Sequence, residues 1–466
     1  MPIQDGLPTP ARYRAMVIIF LGLALSVLDG TIVNLALPGI ARNLHASAAA
    51  AIWVVNAYQV ATLGLLLPLA TLGDLVGYRR VYLSGVVLFT AASLACALSG
   101  SLLFLTTARA IQGLGAAGIM SVNSALLRLI YPRRMLGRGV AINSMVVATA
   151  SVAGPSIAAG ILSIASWPWL FVFNVPLGVA VLWLGLRALP HNAAAPPDGM
   201  RLSWIDVLLN ALMFGLVFLG VDALGSRSGA SVTSASGGTG LALLAVGLVV
   251  GVVYVRRQWT LPLPLFPLDL LRIPVFALSM CSSVGAFAAQ MLAYIALPFL
   301  LLDGYGRTPL QAGLLITAWP LAIVAVAPVV GRLIGRYPDG LLGGIGMGIM
   351  AAGLALMATL PAQPDNAAIA WRMALCGIGF GMFQSPNNHT IVTTPPVHRS
   401  GGASGMLGTA RLTGQTLGAV LLSIIFSVAN PHNGRGPVIA LALAACFAVV
   451  AGVFSSLRVG QATVIA

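Results

Sequence analysis

Windows of about 20 predominantly apolar residues recur fourteen times along this chain, and that length is what a helix needs to cross the hydrocarbon of a bilayer. Few features narrow a fold so far. In lipid every backbone N–H and C=O must find its partner inside the protein, so apolar runs this long cross as helices. The windows lie near 15–38, 51–72, 81–100, 103–127, 138–164 and 168–189, then 203–224 and 239–257, then 274–302, 310–334, 340–360, 367–392, 403–429 and 437–457. Only 7% of the 466 residues are charged, against about 25% in a soluble domain. The expected fold class is an all-α membrane protein.

The net charge of +14 invites a nucleic-acid reading, but the arginines stand singly or in pairs between apolar windows. That pattern fixes the orientation of a multi-span membrane protein, so the bilayer is the expected partner and nucleic acid is not. With the N-terminus in the cytoplasm, the outer loops hold just Arg42, Arg227, Arg307 and Arg435. Most other arginines, among them Arg12, Arg14, Arg133, Arg134, Arg201, Arg399 and Arg458, then lie on the cytoplasmic side, and fourteen spans return the C-terminus there. The first window resembles a signal peptide at its start but continues without a small-residue cleavage site, so it is read as a retained helix. Cys96, Cys281, Cys376 and Cys446 fall far apart inside apolar windows, which supports neither a metal site nor a disulfide framework.

Asp29 stands in the middle of the first window. An ionised carboxylate at that depth costs on the order of 3 kcal/mol, so such a group is a functional candidate by default. Ser26, Asp29 and Val33 share one helix face, and Asn34 points elsewhere. The expectation is that Asp29 faces an internal cavity and exchanges a proton as that cavity changes sides. A buried aspartate that merely ties helices together is the plainer alternative. Arg109, in the fourth window, needs an acceptor, and Asp29 is the one acid of comparable depth in the first six windows. A carboxylate alternating between a guanidinium partner and lipid-like surroundings would load and unload one proton; a permanent structural pair is the other possibility.

Other polar features admit two readings each. Asp74, Gly77, Arg79 and Arg80 form a tight loop after the second window, either a conformational lock or plain topology. Gly154, Pro155 and Gly160 lie in a small-residue stripe of the fifth window, either a pivot or a packing seam. Asn34, Gln112, Gln290, Gln384, Asn387, Asn388 and Arg411 are candidates for a substrate cavity, although amides at this depth often just bond between helices. His389 reads as structural, Asp206 and Asp222 as solvated ends of the seventh window, and Trp167-Pro168-Trp169 as an interfacial anchor. Glycine pairs such as Gly113 and Gly115 lie inside apolar windows, so no phosphate-cradling loop is present. Neither a cofactor nor catalysis is expected, and the energy source would be an ion gradient.

The two ends of the chain echo each other. Arg109, Gly113 and Asn123 are matched by Arg372, Gly377 and Asn387. Residues 1–190 and 263–466 therefore read as two six-helix bundles, with an inserted transmembrane hairpin in the linker 191–262, and repeats of this kind place transport sites at their interface.

The run Leu28-Asp29-Gly30-Thr31-Ile32-Val33-Asn34-Leu35-Ala36-Leu37-Pro38 resembles the first-helix signature of the fourteen-span drug:proton antiporters of the major facilitator superfamily. Gly73 to Arg80 is similar to the superfamily's loop between spans two and three, with Ala70 and Leu75 departing from it. Arg109-Ala110-Ile111-Gln112-Gly113 resembles the fourth-span signature, Gly154-Pro155 with Gly160 the antiporter motif, and Phe173-Asn174-Val175-Pro176 fits the same group. This resemblance implies a major facilitator fold in the inner membrane and export of lipophilic, often cationic drugs in exchange for protons. It assigns coupling to Asp29 and Arg109 and antiport to the fifth-span motif. A specific metabolite exporter or a solute:proton symporter of the same fold is the alternative, and a non-transporting sensor or scaffold is a third. The sequence carries no signal for a periplasmic adaptor.

Overall fold

A computed structural model describes residues 6–132, 135–190, 203–225, 235–259, 268–361, 363–395, 400–429 and 434–459. Arg133, Arg134, Arg201, Arg227 and Arg399, and residues 191–202, 226–234 and 260–262 of the linker 191–262, lie outside the described residues. Fourteen helical stretches among them are long and apolar enough to cross a membrane, one for each window. In chain order the helices are α1 (Ala11–Asn43), α2 (Ala48–Val76), α3 (Tyr78–Ala97), α4 (Leu102–Ile130), α5 (Leu136–Ile164), α6 (Pro168–Val172), α7 (Asn174–Ala188), α8 (Trp204–Gly225) and α9 (Ala235–Trp259). The second half adds α10 (Pro274–Phe299), α11 (Pro309–Leu333), α12 (Asp339–Ala358), α13 (Asn366–Thr393), α14 (Ser400–Val428) and α15 (Arg435–Leu457). The first crossing does not stop at Pro38. α1 carries that proline inside it and runs on to Asn43, as membrane helices do where neighbours re-satisfy the freed backbone groups. The sixth crossing is built from α6 and α7 together.

Local chemistry sets the ends. Ser47, Ser101, Thr308 and Asp365 cap α2, α4, α11 and α13, each accepting from the backbone N–H three residues on. Gly77 turns the chain between α2 and α3 at φ +104°, a backbone region costly for any residue with a Cβ.

Lipid offers little hydrophobic drive for helices to associate, so close packing of small residues does much of the work. The tightest approaches recur in both halves. A Cβ on Gly113 would stand 2.3 Å from the Tyr58 carbonyl of α2, and one on Gly377 would stand 2.1 Å from the Trp319 carbonyl of α11. The packing of α2, α3 and α4 is thus repeated by α11, α12 and α13. Arg109 and Arg372 do not take part in that repeat. Arg372 precedes its glycine by one residue more, which turns its side chain about 100° around the helix. It folds back onto the Ala368 carbonyl at 2.8 Å and over the Trp371 ring.

α1 to α7 form one bundle and α10 to α15 the other. They meet along two seams, α5 with α11 and α2 with α14. Call the end that holds the Gly77 turn the near rim and the end that holds the α1–α2 turn the far rim. At the far rim the bundles are closed against each other. Arg42 pairs with Asp303 at 3.2 Å, and the Ser156 and Thr317 hydroxyls bond at 2.8 Å. Leu35, Leu37 and Ile52 share an apolar cluster there with Leu297, Phe299 and Leu315. Toward the near rim Met145 and Thr149 of α5 and Val324, Ala325 and Val329 of α11 are exposed.

The inserted hairpin α8–α9 packs from outside, with α8 along both α2 and α14. Asn210 donates to the Gly64 carbonyl at 2.7 Å, and Phe218 joins Leu63, Leu66, Leu412 and Val420. Asp222 accepts from Trp53 Nε1 of α2 at 3.0 Å and from Ser423 Oγ of α14 at 2.7 Å. Asp206, almost fully buried, pairs with Arg257 of α9 at 2.7 Å. Both aspartates were expected to be solvated; each instead answers a donor on a neighbouring helix.

Candidate functional site

α1, α4 and α7 bring Asp29, Arg109, Gln112 and Asn174 together at the heart of the first bundle. The Asp29 and Arg109 side chains are each 0% exposed. Arg109 Nη1 pairs with Oδ2 of Asp29, while Oδ1 accepts from Gln112 Nε2 at 3.0 Å and from Asn174 Nδ2 at 2.7 Å. Three donors and no acceptor surround the carboxylate, which is the environment of its ionised form. Arg109 also donates through Nε to the Val54 carbonyl at 2.9 Å and through Nη1 to Gln112 Oε1 at 2.6 Å. Its guanidinium lies 4.3 Å from the centre of the Tyr58 ring and 5.6 Å from that of Phe171. Gln112 is held in turn by Ser93 Oγ at 2.8 Å, and the Tyr58 hydroxyl by the Ser26 carbonyl at 3.1 Å. A buried ion pair survives desolvation when its remaining hydrogen-bonding positions are filled; here both carboxylate oxygens and the Nε and Nη1 donors of Arg109 are engaged, while Arg109 Nη2 and Asn174 Oδ1 are buried without a partner.

The pairing of Asp29 with Arg109 was legible; its surroundings differ from expectation. Asp29 and Gln112 do not line a cavity in this conformation. They are enclosed within their own bundle, because the face of α1 that carries Ser26 and Asp29 packs on α4 and α7. Asn387 is likewise removed from the cavity. It donates to Ser283 Oγ at 2.7 Å and accepts from Arg458 Nη1 at 2.8 Å, inside the second bundle. Arg458, read as lying on the cytoplasmic side, is buried against Ser279, Asn387 and Ser455. That burial pushes its guanidinium down to about 10, which keeps it charged at neutral pH, with Asp339 acting in the opposite direction. His389 is exposed and bonds Asp339 at 2.7 Å. Gln384 and Asn388 are half-buried on α13, and Gln290 is buried on α10.

A second polar set lies on helices that meet across the bundles, and it is unsatisfied. Asn34 Oδ1, both amide atoms of Asn56, Gln59 Oε1, Trp319 Nε1 and Arg411 Nε are buried without a hydrogen-bond partner. They belong to α1, α2, α11 and α14. Gln59 reaches across to Met291 Sδ at 3.8 Å, Trp319 packs edge-on against Tyr294 at 5.1 Å, and Arg411 is within electrostatic reach of Tyr58.

The motif residues divide. Asp74 accepts from the Tyr78 hydroxyl, Arg79 reaches the Leu186 carbonyl at the end of α7, and Arg80 reaches the Val76 carbonyl at 3.3 Å. Gly154 admits Thr31 of α1, whose Oγ1 would stand 2.1 Å from an added Cβ, and Pro155 faces Gly313 of α11. Gly160 faces open space and packs against nothing. Asn174, Tyr58, Asn56 and Trp319 were not singled out from sequence. Asn174 carried the same signal as Asp29, a lone polar residue in an apolar window, and Phe173-Asn174-Val175-Pro176 had already been marked. No group of three or more His, Cys or Asp side chains comes together among the described residues as a metal site would require.

A family model described as Major Facilitator Superfamily matches residues 19–419. The chain is 53% identical over 457 residues to "Uncharacterized transporter YebQ" of Escherichia coli (strain K12), covering 98% of each. It is 28% identical over 424 residues to "Riboflavin transporter RibZ" of Clostridioides difficile (strain 630), covering 91% of this chain and 90% of that one. It is 32% identical over 423 residues to "Multidrug resistance protein Stp" of Mycobacterium tuberculosis (strain CDC 1551 / Oshkosh), covering 89% and 77%. Among solved structures, a bacterial homologue of the human lysosomal transporter Spinster, inward-facing and unoccupied, superposes with a TM-score of 0.68 at 14% identity over 97% of this chain and 98% of that one.

Proposed function

This chain belongs to the Major Facilitator Superfamily, and from that premise we propose that it exports amphipathic organic compounds across a bacterial inner membrane in exchange for protons. The Asp29 network carries the reading: a carboxylate buried at mid-membrane, answered by Arg109, Gln112 and Asn174 from two other helices. Ionised, it holds α1, α4 and α7 together. Protonated, it loses the charge that Arg109 answers, and the packing of the first bundle changes with it.

With the N-terminus in the cytoplasm, as the arginine asymmetry argues, the near rim is cytoplasmic and the far rim outer. The present conformation, closed at the far rim, is then the inward-turned stage. Substrate enters between the bundles, the far rim opens, and substrate leaves outward. A proton taken up by Asp29 from outside returns the bundles to the inward-turned arrangement. The Asp74 to Arg80 loop holds the near end of the first bundle to α7, and Pro155 of the fifth-span motif lies in the sliding surface against α11, while Gly154 seats Thr31 of α1. Similarity to Stp supports a drug-like substrate.

The test is Asp29→Asn in inverted vesicles carrying an imposed pH gradient, with a panel of amphipathic dyes. The variant should insert and remain monodisperse yet lose all gradient-driven dye movement; full movement would remove Asp29 from the coupling step. A second reading, transport of one specific solute, is favoured by the similarity to RibZ. It predicts that riboflavin or another single compound, rather than a chemically mixed panel, competes with itself in counterflow.

A further inference from the structure

Two described arginines at membrane depth, Arg109 and Arg411, are treated differently, although Arg109 too keeps one buried nitrogen, Nη2, without a partner. Arg109 has a carboxylate, a backbone carbonyl, an amide oxygen and two aromatic rings around it. Arg411 has none of these. It lies eleven residues into α14, about 16 Å along the helix from its start, and its Nε is buried without a partner. No hydrogen bond or ion pair engages its terminal nitrogens among the described residues.

No acid is near to answer it. Among the described aspartates, Asp29 is committed to Arg109, Asp206 to Arg257, Asp303 to Arg42 and Asp339 to His389. Asp222 binds Trp53 and Ser423 at the far rim, and Asp74, Asp269 and Asp365 lie at helix ends. The charge between the bundles is therefore positive. A guanidinium kept unpaired at mid-membrane is expensive unless it faces a cavity and meets a partner there. The helices that meet across the bundles carry further unmet groups: the donors Asn56 Nδ2 and Trp319 Nε1, and the acceptors Asn34 Oδ1, Asn56 Oδ1 and Gln59 Oε1. Buried polar atoms without partners are rare in folded proteins, and several on facing helices mark a place where something else supplies the bonds. Asn56, Gln59 and Trp319 are all more than nine-tenths buried.

Resting on the transport reading above, we infer that the transported compound is an amphipathic organic anion whose carboxylate, or a comparable anionic group, is held by Arg411. The planar guanidinium fork matches a carboxylate in a way an amide cannot. Tyr58, Met291, Tyr294 and the Trp319 ring supply apolar surface for the rest of the molecule, and Asn56 and Gln59 meet its neutral polar groups. This departs from the cationic preference that the family resemblance implied.

The test uses purified full-length protein and three fluorescent probes on one ring system: anthracene-9-carboxylate, anthracene-9-carboxamide and (anthracen-9-yl)methylammonium. Wild type should bind the carboxylate at least about tenfold more tightly than the other two, the scale of a charge-assisted pair away from water. Arg411→Gln should lose that preference while binding the carboxamide as wild type does, which also shows that its cleft is intact. Arg411→Lys should retain part of the preference. Equal binding of all three probes by wild type, undetectable binding of the carboxylate, or a preference that survives in Arg411→Gln would overturn the inference. Movement in inverted vesicles under a pH gradient separates it from the exporter reading. Carboxylate selectivity without gradient-driven movement sinks the exporter and leaves the anion site standing. Gradient-driven movement of all three probes alike does the reverse.

Discussion

Replacing Gly313 with alanine should open the far rim. A Cβ at that position would stand 2.2 Å from Ala159 Cβ and 2.9 Å from the Pro155 carbonyl. Two methyl carbons rest about 3.5–4.0 Å apart, so α5 and α11 would have to separate locally by about 1.5 Å. Overpacking of this kind costs about 1–3 kcal/mol. The two helices belong to different bundles, so the penalty falls on the conformer closed at the far rim and vanishes in one where their far halves part. A bias of that size multiplies the ratio of open to closed by about 5–150. An open state populated at about 1% would rise to between about 5% and about 60%. The control is Gly154→Ala, whose Cβ would stand 2.1 Å from Thr31 Oγ1 within the first bundle. It strains any conformer that keeps α1 against α5 and should lower thermal stability without moving the equilibrium. Double electron–electron resonance between spin labels at Leu98 and Asn366, placed at the far rim on opposite bundles, reads the change once the exposed Cys281 and Cys446 have been made serine. If the distance distributions of Gly313→Ala and wild type coincide, the α5–α11 contact is not what closes the far rim.

Two further outcomes are expected. Asn174→Ala removes one of the three donors to Asp29, a hydrogen bond to a charged group worth about 1.5–3 kcal/mol; gradient-driven turnover should fall while expression and insertion persist, and unchanged turnover would show that the amide is dispensable to coupling. Asp222→Ala orphans Trp53 Nε1, about 1–3 kcal/mol for a donor left unpaired, and leaves the Ser423 hydroxyl only its long 3.4 Å bond to the Ala49 carbonyl; the melting temperature of the purified chain should drop, and an unaltered melt would mean that water replaces the carboxylate.

The spans were legible because lipid leaves an apolar run of this length one way to satisfy its backbone. Asp29 and Arg109 were legible for a related reason: a charge inside such a run is costly enough to announce itself. Amides announce little. Gln112, Asn174 and Asn387 look alike in sequence, and which of them meets a carboxylate, a serine or an arginine depends on helix rotation, a property of packing. The mistaken match of Arg372 to Arg109 shows the sensitivity, since one residue of offset sends the side chain to another face. Asp222 was misjudged because a helix end in sequence is not necessarily a surface in three dimensions. There the ends of α2 and α14 bring an indole and a hydroxyl to it.

The placing of α8 makes the two flanks of the protein unequal toward the membrane. It shutters the flank where α2 meets α14 at three heights, through Asn210, Phe218 and Asp222. The opposite flank, between α5 and α11, has bare side chains along its near half. A molecule dissolved in the bilayer therefore meets one flank covered by the hairpin and the other with side chains bare. On the export reading proposed above, loading would be sideways and one-handed, with the extra hairpin as the wall.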